Sequence, residues 1–302
     1  MGFTYADLFA GIGGFHLAAD SLGGECVFAS EIDAEAQRAY AANFELTPHG
    51  DIKLADTSDI PNHDALFAGF PCQPFSIIGN RLGFEDIRGT LFFEIARILK
   101  AKKPRMFILE NVKQLTGHNG GHTFRVILDT LRELGYHPHW KTLNALDFGL
   151  PQKRERTIIV GFLEDVPFAF PEPEKSGNLK DVLEPDDAID PKFFASEHIV
   201  KKRANLHKSA FTPGIWHENK SGNISSYPYS CALRAGASHN YLLVNGLRRL
   251  TPREMLRLQG FPDSFKIVCN DRQTRKQAGN AVPVNVIQAV LKAAISALKQ
   301  EF

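Results

Sequence analysis

Residues 4–31 read TYADLFAGIGGFHLAADSLGGECVFASE, and this stretch decides the fold of the chain. The apolar run at residues 4–9 predicts a β-strand, and a glycine-rich turn leads into residues 15–22, which predict an amphipathic helix. A second strand is predicted at residues 26–30, directly before Glu31. Strand, tight turn, helix and strand in this order predict a βαβ unit with parallel strands.

The same alternation continues along the chain. Further helices are predicted at residues 34–43, 91–100, 123–134 and 284–299, and strands at residues 65–69, 106–109, 140–146 and 156–162, with a short acidic strand edge at 50–52. Thr251 and Pro252, with Glu254 three residues after the threonine, predict a helix over residues 251–259 that opens with a capping box. The pattern indicates an α/β protein with a doubly wound, mostly parallel sheet and helices on both faces.

A change in composition predicts a second, smaller domain. Prolines punctuate residues 166–246, hydrophobic periodicity weakens there, and residues 221–226 are expected to form a loop. A chain of 302 residues also exceeds the usual size of one hydrophobic core. We therefore expect a main domain of residues 1–165, completed by residues 247–302, and a second domain of residues 166–246.

The composition excludes several classes of protein. Hydrophobic residues make up 43% of the chain and charged residues 23%, and no run approaches the roughly 18 uncharged apolar residues that span a bilayer. The N-terminus has no basic segment ahead of its apolar residues, which argues against a secretory signal. Because the four cysteines form neither a disulfide ladder nor a zinc pair, we expect a cytoplasmic protein without a structural metal.

The net charge of +1 conceals an asymmetry along the chain. Residues 1–70 hold eleven acids and two bases, whereas residues 248–276 hold eight bases and three acids. Residues 192–208 form a second basic stretch. Contacts to phosphate groups require basic clusters of this kind, although an isolated basic run is more often a solvated surface.

The glycine-rich turn and two acids indicate a nucleoside ligand. Gly11 and Gly14 lie where a bare backbone can approach a ligand. Glu31 follows the second strand at the place where an acid binds ribose hydroxyls in doubly wound folds. His16 stands where a dinucleotide fingerprint requires Gly or Ala, so a positively charged nucleoside such as S-adenosylmethionine fits better than NAD. Asp51 could accept a hydrogen bond from an amine of that ligand. A structural interpretation explains the same residues: the glycines as an ordinary tight turn, and Glu31 and Asp51 as helix N-caps.

A cysteine, an acid and two arginines form the candidate reactive set. Cys72 lies between two prolines just past a predicted strand, at the edge where open α/β sheets bind ligands. Glu110 ends another strand at that edge, where partial removal from water suits a carboxyl group that donates a proton. Strand alternation puts Arg154 and Arg156 on one face, where they suit a phosphate or carboxylate; a salt-bridge ladder on an edge strand explains them equally well.

Five segments together resemble the DNA (cytosine-5)-methyltransferases, in particular short bacterial members of the restriction–modification type. They read DLFAGIGGF at residues 7–15, GFPCQPFS at 69–76, ENV at 110–112, QKRER at 152–156 and QAGNAV at 277–282. The resemblance covers about residues 3–165 and 245–300, and residues 166–245 match only as a variable target-recognition region. It implies a Rossmann-like, S-adenosylmethionine-dependent catalytic domain with a smaller target-recognition domain.

The resemblance also implies a covalent mechanism. Cys72 would add as a thiolate to C6 of a cytosine flipped out of double-stranded DNA. Glu110 would bind N3 and the 4-amino group of the base, and Arg156, with Arg154 nearby, would hold the base carbonyl. Residues 77–88 correspond to the lid of the family over the flipped base. S-adenosylmethionine would supply the methyl group and leave as S-adenosylhomocysteine, and no metal is implied.

A set of cofactor-binding residues follows from the same resemblance. Glu31 would bind the ribose hydroxyls and Asp51 the amino group of the adenine, while Ile32 and Ile52 would pack on the adenine ring. The other residues of the pocket would be Phe9, Gly11, Ile12, Gly14, Gly69, Pro71, Leu91, Asn280 and Val282.

For the target-recognition region, the resemblance implies DNA contacts but no recognition sequence. Base edges would be read from the loop at residues 233–240, and phosphates would be bound by basic side chains before it. The candidates are Arg234, His239 and Asn240 for bases, Lys201, Lys202 and Arg203 for phosphates, and Ser76 and Arg88 as further DNA contacts. The family usually carries Thr-Leu where this chain has Ala232-Leu233, so the hydroxyl expected to contact a phosphate is missing and Arg234 is a candidate to compensate.

Three other classes of protein remain open from the sequence. A tRNA cytosine methyltransferase would share every catalytic residue, a nicotinamide-dependent oxidoreductase needs only the turn and Glu31, and a non-enzymatic DNA-binding regulator needs none of these residues. For the methyltransferase we expect double-stranded DNA as the substrate and a cognate restriction endonuclease that acts on the same site without a stable complex. We expect a monomer that does not associate with a membrane.

Overall fold

The computed structural model of the protein describes residues 2–71 and 91–299. The chain divides into two compact units. Unit 1 comprises residues 1–143, 155–172 and 287–302, and unit 2 comprises residues 144–154 and 173–286. These boundaries differ from the expected ones, because residues 144–154 and 247–286 belong to unit 2 and residues 166–172 to unit 1.

A six-stranded sheet forms the centre of unit 1, with the strand order β2-β1-β3-β4-β7-β5. Its strands are β1 (Phe3–Leu8), β2 (Gly24–Ser30), β3 (Ala65–Gly69), β4 (Met106–Val112), β5 (His137–Asn144) and β7 (Glu155–Phe162). Strand β6 (Gln152–Lys153) belongs to another sheet. Strands β1 to β4 pair in parallel, whereas β7 runs antiparallel to β4. The predicted α/β class with a mostly parallel sheet is confirmed.

The predicted helices lie close to their expected positions, and unit 2 also contains helices at residues 179–182, 197–206 and 271–280 that the sequence did not predict. Unit 1 contains α1 (Gly14–Asp20), α2 (Ala34–Phe44), α3 (Leu91–Lys102) and α4 (His122–Glu133). Unit 2 contains α5 (Leu179–Val182), α6 (Glu197–Leu206), α7 (Pro252–Leu258) and α8 (Asp271–Asn280). The last helix, α9 (Val284–Lys299), has the predicted bounds.

Helices cover both faces of the sheet because its central strands are apolar on both sides. On one face, Leu66 of β3 and Phe107 of β4 belong to a core cluster that includes Phe92 of α3 and other side chains of α3 and α4. On the opposite face, Phe67 of β3 stacks on Phe15 of α1 with ring centroids 5.5 Å apart. Burial on both faces is the expected state of parallel strands, and it explains their nearly continuous apolar sequence.

Two local predictions are wrong. Residues 50–52 do not form a strand, because the Asp51 carboxylate accepts from the Lys53 amide at 3.0 Å and caps a 3₁₀ helix at Ile52–Leu54. Residues 221–226 are not a loop throughout, because Ile224–Tyr227 pair with the preceding strand as part of a sheet. At residues 50–52, the Asp51 side chain bonds to a backbone N–H group that strand pairing would otherwise use. At residues 224–227, pairing with the preceding strand forms a strand that the local composition does not predict.

Unit 2 contains two small sheets. Strands β8 (Ile215–Glu218), β9 (Ile224–Tyr227) and β11 (Leu242–Val244) form an antiparallel sheet, and β10 (Ser230–Cys231) pairs in parallel with β6. Helix α7 opens with the predicted capping box, in which Thr251 Oγ1 accepts from the Glu254 amide at 3.1 Å and Glu254 Oε2 accepts from the Thr251 amide at 2.8 Å.

A buried ion pair connects this capping box to the preceding residues. The Nη1 and Nη2 atoms of Arg248 each donate to one carboxylate oxygen of Glu254 at 2.9 Å, and the two side chains are only 1% and 0% exposed. Arg248 also donates to Asp186 at 2.6 Å and to the carbonyl of Glu184 at 3.2 Å. These bonds fix the start of α7 against residues 184–186.

One helical run of the described chain meets the requirements for a membrane span by length and composition. It covers residues 271–298, and 56% of its most apolar window is buried inside the protein. In α9 the buried residues include Val286, Val290, Ala294 and Ala297, which recur at helical spacing. A stripe of this kind is typical of a helix that packs on a protein core.

The substitution Glu254→Ala should lower the free energy of unfolding by about 3–5 kcal/mol, because it leaves the guanidinium of Arg248 buried without its main counter-charge. Urea unfolding followed by circular dichroism measures this loss. Glu197→Ala is the matched control, since it breaks an exposed pair with Lys201 and should change stability little. Equal losses in the two variants would contradict the assignment of Arg248–Glu254 as a stabilising buried pair.

Candidate active site

The antiparallel direction of β7 brings functional side chains to one edge of the sheet. Parallel strands β3 and β4 end at this edge, with Gly69 beside Glu110. Because β7 runs the other way, it begins there, and Arg156 pairs with Val112 at the end of β4. The segment that leaves β3 toward Cys72 therefore starts next to Glu110, and Arg156 reaches the same edge.

Glu110 and Arg156 form a direct ion pair at this edge. Arg156 Nε donates to Glu110 Oε1 at 2.7 Å, and the two side chains are 14% and 9% exposed. Arg156 Nη1 also donates to the carbonyl of Glu155 at 2.8 Å, which fixes the guanidinium plane. Among the described residues, Arg156 thus holds the Glu110 carboxylate through its Oε1 atom.

Asn111 holds the segment that precedes Cys72. Its Nδ2 donates to the carbonyl of Phe70 at 2.9 Å, and its Oδ1 accepts from the Val112 amide at 2.8 Å. The side chain is 2% exposed, so both bonds are shielded from water and restrict the backbone two residues before Cys72. Sequence reasoning named the segment 110–112 but assigned no role to Asn111; an amide at the end of an apolar strand was the available signal.

Cys72, Ser76 and Arg88 lie outside the described residues, as does the predicted lid at residues 77–88. Two of the other cysteines are poorly suited to nucleophilic attack. Burial raises the pKa of Cys26 to about 12, and burial likewise raises the pKa of Cys231. Because the thiolate is the reactive form, neither thiol is a nucleophile at neutral pH.

Arg154 has different contacts from those expected. It lies in unit 2 and is 1% exposed, and its guanidinium donates to three backbone carbonyls: Leu233 at 3.0 Å, Gly279 at 3.1 Å and Ala281 at 2.8 Å. Arg156, in unit 1, donates to Glu110 instead. Arg154 lies between β6 and β7 and belongs to neither strand, so the alternation of one strand does not describe the two arginines.

Gln152 supports the same backbone as Arg154. Its Oε1 accepts from the Leu233 amide at 3.0 Å, and its Nε2 donates to the carbonyl of Leu258 at 2.8 Å. Both peptide groups of Leu233 are thus held by buried side chains. A Cβ atom on Gly279 would lie 2.4 Å from the Ala235 amide nitrogen, so a glycine is required where this loop meets α8. The start of the loop at residues 233–240 is therefore fixed within unit 2.

Glu31 ties the glycine-rich turn to the end of β2. Its Oε2 accepts from the Gly11 amide and its Oε1 from the Asp33 amide, both at 2.8 Å. Glu31 is not the cap of α2, since the N-cap is Asp33, which accepts from Glu35 and Ala36. The backbone φ of Gly11 is +57° and a Cβ atom there would meet no atom within 4 Å, so the turn faces open space at this residue.

The other predicted cofactor residues are found at several places. Ile32 is 71% exposed beside Glu31, whereas Ile52 is buried in the core cluster. Asn280, the last residue of α8, and Val282 lie in unit 2. The rest are near strand ends or helix starts of unit 1: Phe9 after β1, Ile12 and Gly14 at the start of α1, Gly69 at the end of β3, Pro71 after it, and Leu91 at the start of α3.

Asp7 is a buried acid to which sequence reasoning gave no role. It is fully buried on β1, and neither carboxylate oxygen has a hydrogen-bond partner among the residues that the structure covers. Burial, and secondly the nearby charge of Glu31, raise its pKa well above the ordinary value. Burial thus disfavours the ionised form of the Asp7 carboxyl group.

The predicted DNA-binding side chains of unit 2 differ in their exposure. Lys201 and Lys202 are exposed, but Arg203 is 2% exposed and pairs with Glu218 at 2.6 Å. The phosphate contact expected of Arg203 is wrong, because the next position on α6 turns inward. Arg234 is exposed, with its guanidinium 4.8 Å from the centre of the Tyr241 ring.

The other two predicted residues of the loop at residues 233–240, the expected recognition loop, contact arginines. His239 is exposed, with its Nδ1 3.2 Å from Arg275 Nη1, and Asn240 Oδ1 accepts from Arg249 Nη1 at 3.4 Å. Neither Arg249 nor Arg275 was predicted as a site residue. The basic stretch at residues 248–276 was the signal that could have indicated them.

This fold and edge define a doubly wound α/β enzyme of the methyltransferase type, with a glycine-rich turn, an acid after β2 and an acid–arginine pair where β3 and β4 end. The chain belongs to the C-5 cytosine-specific DNA methylase family, whose model matches residues 3–296. The resemblance inferred from the sequence is confirmed, and the protein is a DNA (cytosine-5)-methyltransferase. Family membership removes the oxidoreductase and the non-enzymatic regulator.

Two curated bacterial proteins align over nearly the whole chain. The type II methyltransferase M.NgoBI of Neisseria gonorrhoeae is 59% identical, over 95% of this chain and 91% of its own length. The type II methyltransferase M.HaeII of Haemophilus aegyptius is 56% identical, over 97% of this chain and 92% of its own length.

Solved structures of lower identity share the fold. A methyltransferase of Entamoeba histolytica, EhMeth, superposes with a TM-score of 0.76 at 18% identity, covering 99% of both chains. A DNMT2 mutant from Spodoptera frugiperda superposes with a TM-score of 0.75 at 23% identity, covering 97% of this chain and 99% of its own.

The substitution Asn111→Ala should lower kcat for methyl transfer by roughly 10- to 100-fold, because small displacements of a reactive group cost about this much. Affinity for the methyl donor should change little, which calorimetry measures beside the kinetics. Asn178→Ala is the control, since this amide caps α5 in unit 2 by accepting from Lys180. An Asn111 variant that folds and keeps the wild-type kcat would show that the Phe70 carbonyl bond does not position Cys72.

Proposed function

We propose that this protein transfers a methyl group from S-adenosylmethionine to C5 of a cytosine that is flipped out of a specific double-stranded DNA sequence. The observation that carries the proposal is the Glu110–Arg156 pair, 2.7 Å apart, at the sheet edge from which the chain leads to Cys72. A carboxylate fixed by a guanidinium is suited to bind the polar edge of a base. The family of the protein supports the same reaction.

The reaction needs covalent help because C5 of cytosine is a weak nucleophile. Addition of the Cys72 thiolate to C6 would break the C5–C6 double bond and place an electron pair on C5. Glu110 would hold a proton at N3, and Arg156 would hold the base carbonyl and the orientation of Glu110. After C5 takes the methyl group, loss of the C5 proton and elimination of Cys72 would release 5-methylcytosine and free enzyme.

The residues at the edge of β1 and β2 fit S-adenosylmethionine, which supplies an electrophilic methyl group when bound. Gly11 leaves open space where a side chain would stand, and the apolar side chain of Ile32 is exposed beside Glu31. The Glu31 carboxylate is oriented by two amides, and each oxygen keeps a lone pair for a ribose hydroxyl. Asp51 would bind the adenine amino group through the oxygen that does not cap the 3₁₀ helix.

Unit 2 would recognise the DNA, and the contacts of Arg154 give that proposal a structural basis. Arg154 and Gln152 hold the backbone of Leu233, at the start of the loop that carries Arg234, His239 and Asn240. We propose that Arg154 is a positioning residue for this loop rather than a group that touches the cytosine. Lys201 and Lys202, exposed on α6, would contact phosphates.

The relatives indicate the biological setting. Both curated relatives carry the name type II methyltransferase, and we propose that this enzyme likewise protects host DNA from a restriction endonuclease that cuts the same site. It would act in the cytoplasm as a monomer, without a stable complex with the endonuclease. It would release S-adenosylhomocysteine and use no metal ion.

Bisulfite sequencing of host DNA after expression tests the proposed reaction and identifies the modified sequence. Purified enzyme with labelled S-adenosylmethionine should then methylate a duplex that contains this sequence, but neither a scrambled duplex nor tRNA. Methyl transfer to tRNA alone would replace DNA by RNA as the substrate.

The substitution Cys72→Ala should abolish methyl transfer and leave binding of the cofactor and DNA largely intact, because only the covalent step needs the sulfur. Radiometric methylation and gel shift measure the two effects. Cys26→Ala, which removes a thiol from β2, is the control for loss of a cysteine. Methylation by the Cys72 variant would refute the mechanism.

A trapping experiment tests the covalent step directly. With 5-fluorocytosine at the target position, the adduct of the wild-type enzyme should survive denaturing electrophoresis, because fluorine does not leave C5 as a proton does.

The substitution Glu31→Ala should weaken S-adenosylmethionine binding by roughly 1.5–3 kcal/mol, the range for hydrogen bonds to a charged acceptor. This corresponds to about a 10- to 150-fold higher Kd in calorimetry, with no change in which DNA sequence is modified. Asp129→Ala is the control, because it removes a carboxylate from the exposed surface of α4. Equal affinities in wild type and the Glu31 variant would leave Glu31 with only a structural role.

A further inference from the structure

A cavity of about 310 Å³ lies within unit 2. Its floor is apolar and includes Leu233, Tyr241, Leu250 and Met255. Its rim carries the cations Lys192, Arg249, Arg272 and Arg275 and the acid Asp271, with His239 beside them. Apolar residues below a mostly cationic rim form a surface that suits an anionic group attached to a less polar body.

Two arginines of the rim have no acidic partner. Arg275 Nη1 lies 3.2 Å from His239 Nδ1, while Arg249 donates to Asn240 Oδ1 at 3.4 Å and to the Lys192 carbonyl. In the part of the chain that the structure describes, neither guanidinium forms an ion pair with a carboxylate; Asp271, the acid at the rim, pairs with Lys192 at 2.9 Å. The Nε atoms of Arg249 and Arg275 are buried and have no hydrogen-bond acceptor.

The cations of the rim therefore repel one another. The pKa of Arg249 is lowered by burial and, secondly, by the positive charge of Arg275. The pKa of His239 is likewise lowered by burial and then by the charges of Arg249 and Arg275. Keeping like charges together costs free energy, and an anion bound between them would recover it. Two other buried arginines of unit 2 each pair with an acid, Arg203 with Glu218 and Arg248 with Glu254.

We propose that this cavity binds one phosphate group of the DNA backbone, held by the guanidinium groups of Arg249 and Arg275 beside His239. The forked donors of arginine match phosphate oxygens, and the apolar floor would accommodate the adjoining deoxyribose. Because Arg249 contacts Asn240 and Arg275 contacts His239, the bound phosphate would fix the recognition loop on the duplex. This inference rests on the proposed function, since it takes DNA as the ligand.

Salt dependence of binding is the first test. Fluorescence anisotropy with the duplex identified by bisulfite sequencing, and with a scrambled duplex, gives Kd at several salt concentrations. Arg275→Gln should weaken binding to both duplexes by roughly tenfold and reduce the slope of log Kd against log salt by about 0.9. Arg132→Ala is the control, since it removes the same charge from the exposed surface of α4 and should leave the slope unchanged.

The second test locates the phosphate. Duplexes with a single neutral methylphosphonate are scanned along the site, and one position should cost wild type roughly tenfold in affinity but cost Arg275→Gln nothing further. Arg249→Lys, which keeps the charge and loses the fork, should show a partial loss of coupling at the same position. Thermal unfolding confirms that both variants are folded.

The outcomes separate this inference from the proposed function. If wild type methylates DNA but no methylphosphonate position is coupled to Arg275 or Arg249, the cavity is not a backbone site and the methyltransferase assignment stands. Equal slope changes for Arg275→Gln and Arg132→Ala would likewise overturn it, because net charge alone would explain the effect. If inorganic phosphate binds with the same dependence on both arginines while no duplex position does, the site is for a free anion. If wild type modifies no DNA, both proposals fail.

Discussion

The antiparallel direction of β7 beside β4 is the constraint on which the proposed active site depends. In a fully parallel sheet, the start of β7 would lie at the opposite edge from the end of β4, and Arg156 would be separated from Glu110 by the length of a strand. The reversal places Arg156 opposite Val112 and allows the 2.7 Å contact with Glu110. The end of β3, which leads to Cys72, lies beside the same pair because β3 and β4 are parallel.

Several polar residues of the family motifs act on the backbone of the protein itself. Glu31 holds the amide of Gly11, Asn111 holds the carbonyl of Phe70, and Arg154 with Gln152 holds both peptide groups of Leu233. In each case a buried or half-buried side chain satisfies a loop whose backbone has no strand or helix partner. The loops that would bind the cofactor, carry the nucleophile and read the DNA are thus fixed by residues that sequence reasoning had assigned to ligands or left without a role.

The arginines of unit 2 form two groups that differ in their bonding partners. Arg154 is buried and donates through its Nη atoms to backbone carbonyls, and Arg248 is buried and paired with Glu254. Arg249 and Arg275 line a cavity, and among the described residues neither pairs with a carboxylate. Removing a guanidinium from water is costly unless its donors are used. The contacts of Arg154 and Arg248 therefore stabilise the fold, whereas Arg249 and Arg275 are the pair that we propose binds a ligand.

The sequence by itself determined the α/β class, the family, the bounds of α9, the capping box at Thr251 and the presence of Glu110 at a strand end, because these follow from periodicity, local hydrogen bonding and motif residues that lie close together in the chain. Only the tertiary structure decided the direction of β7, the separation of Arg154 from Arg156, the inward position of Arg203 and the cationic cavity around Arg249 and Arg275. Strand direction and side-chain partners depend on contacts between residues tens of positions apart, such as Arg154 with Gly279. The pattern of residue types along the chain therefore does not predict which buried charged side chains form ion pairs.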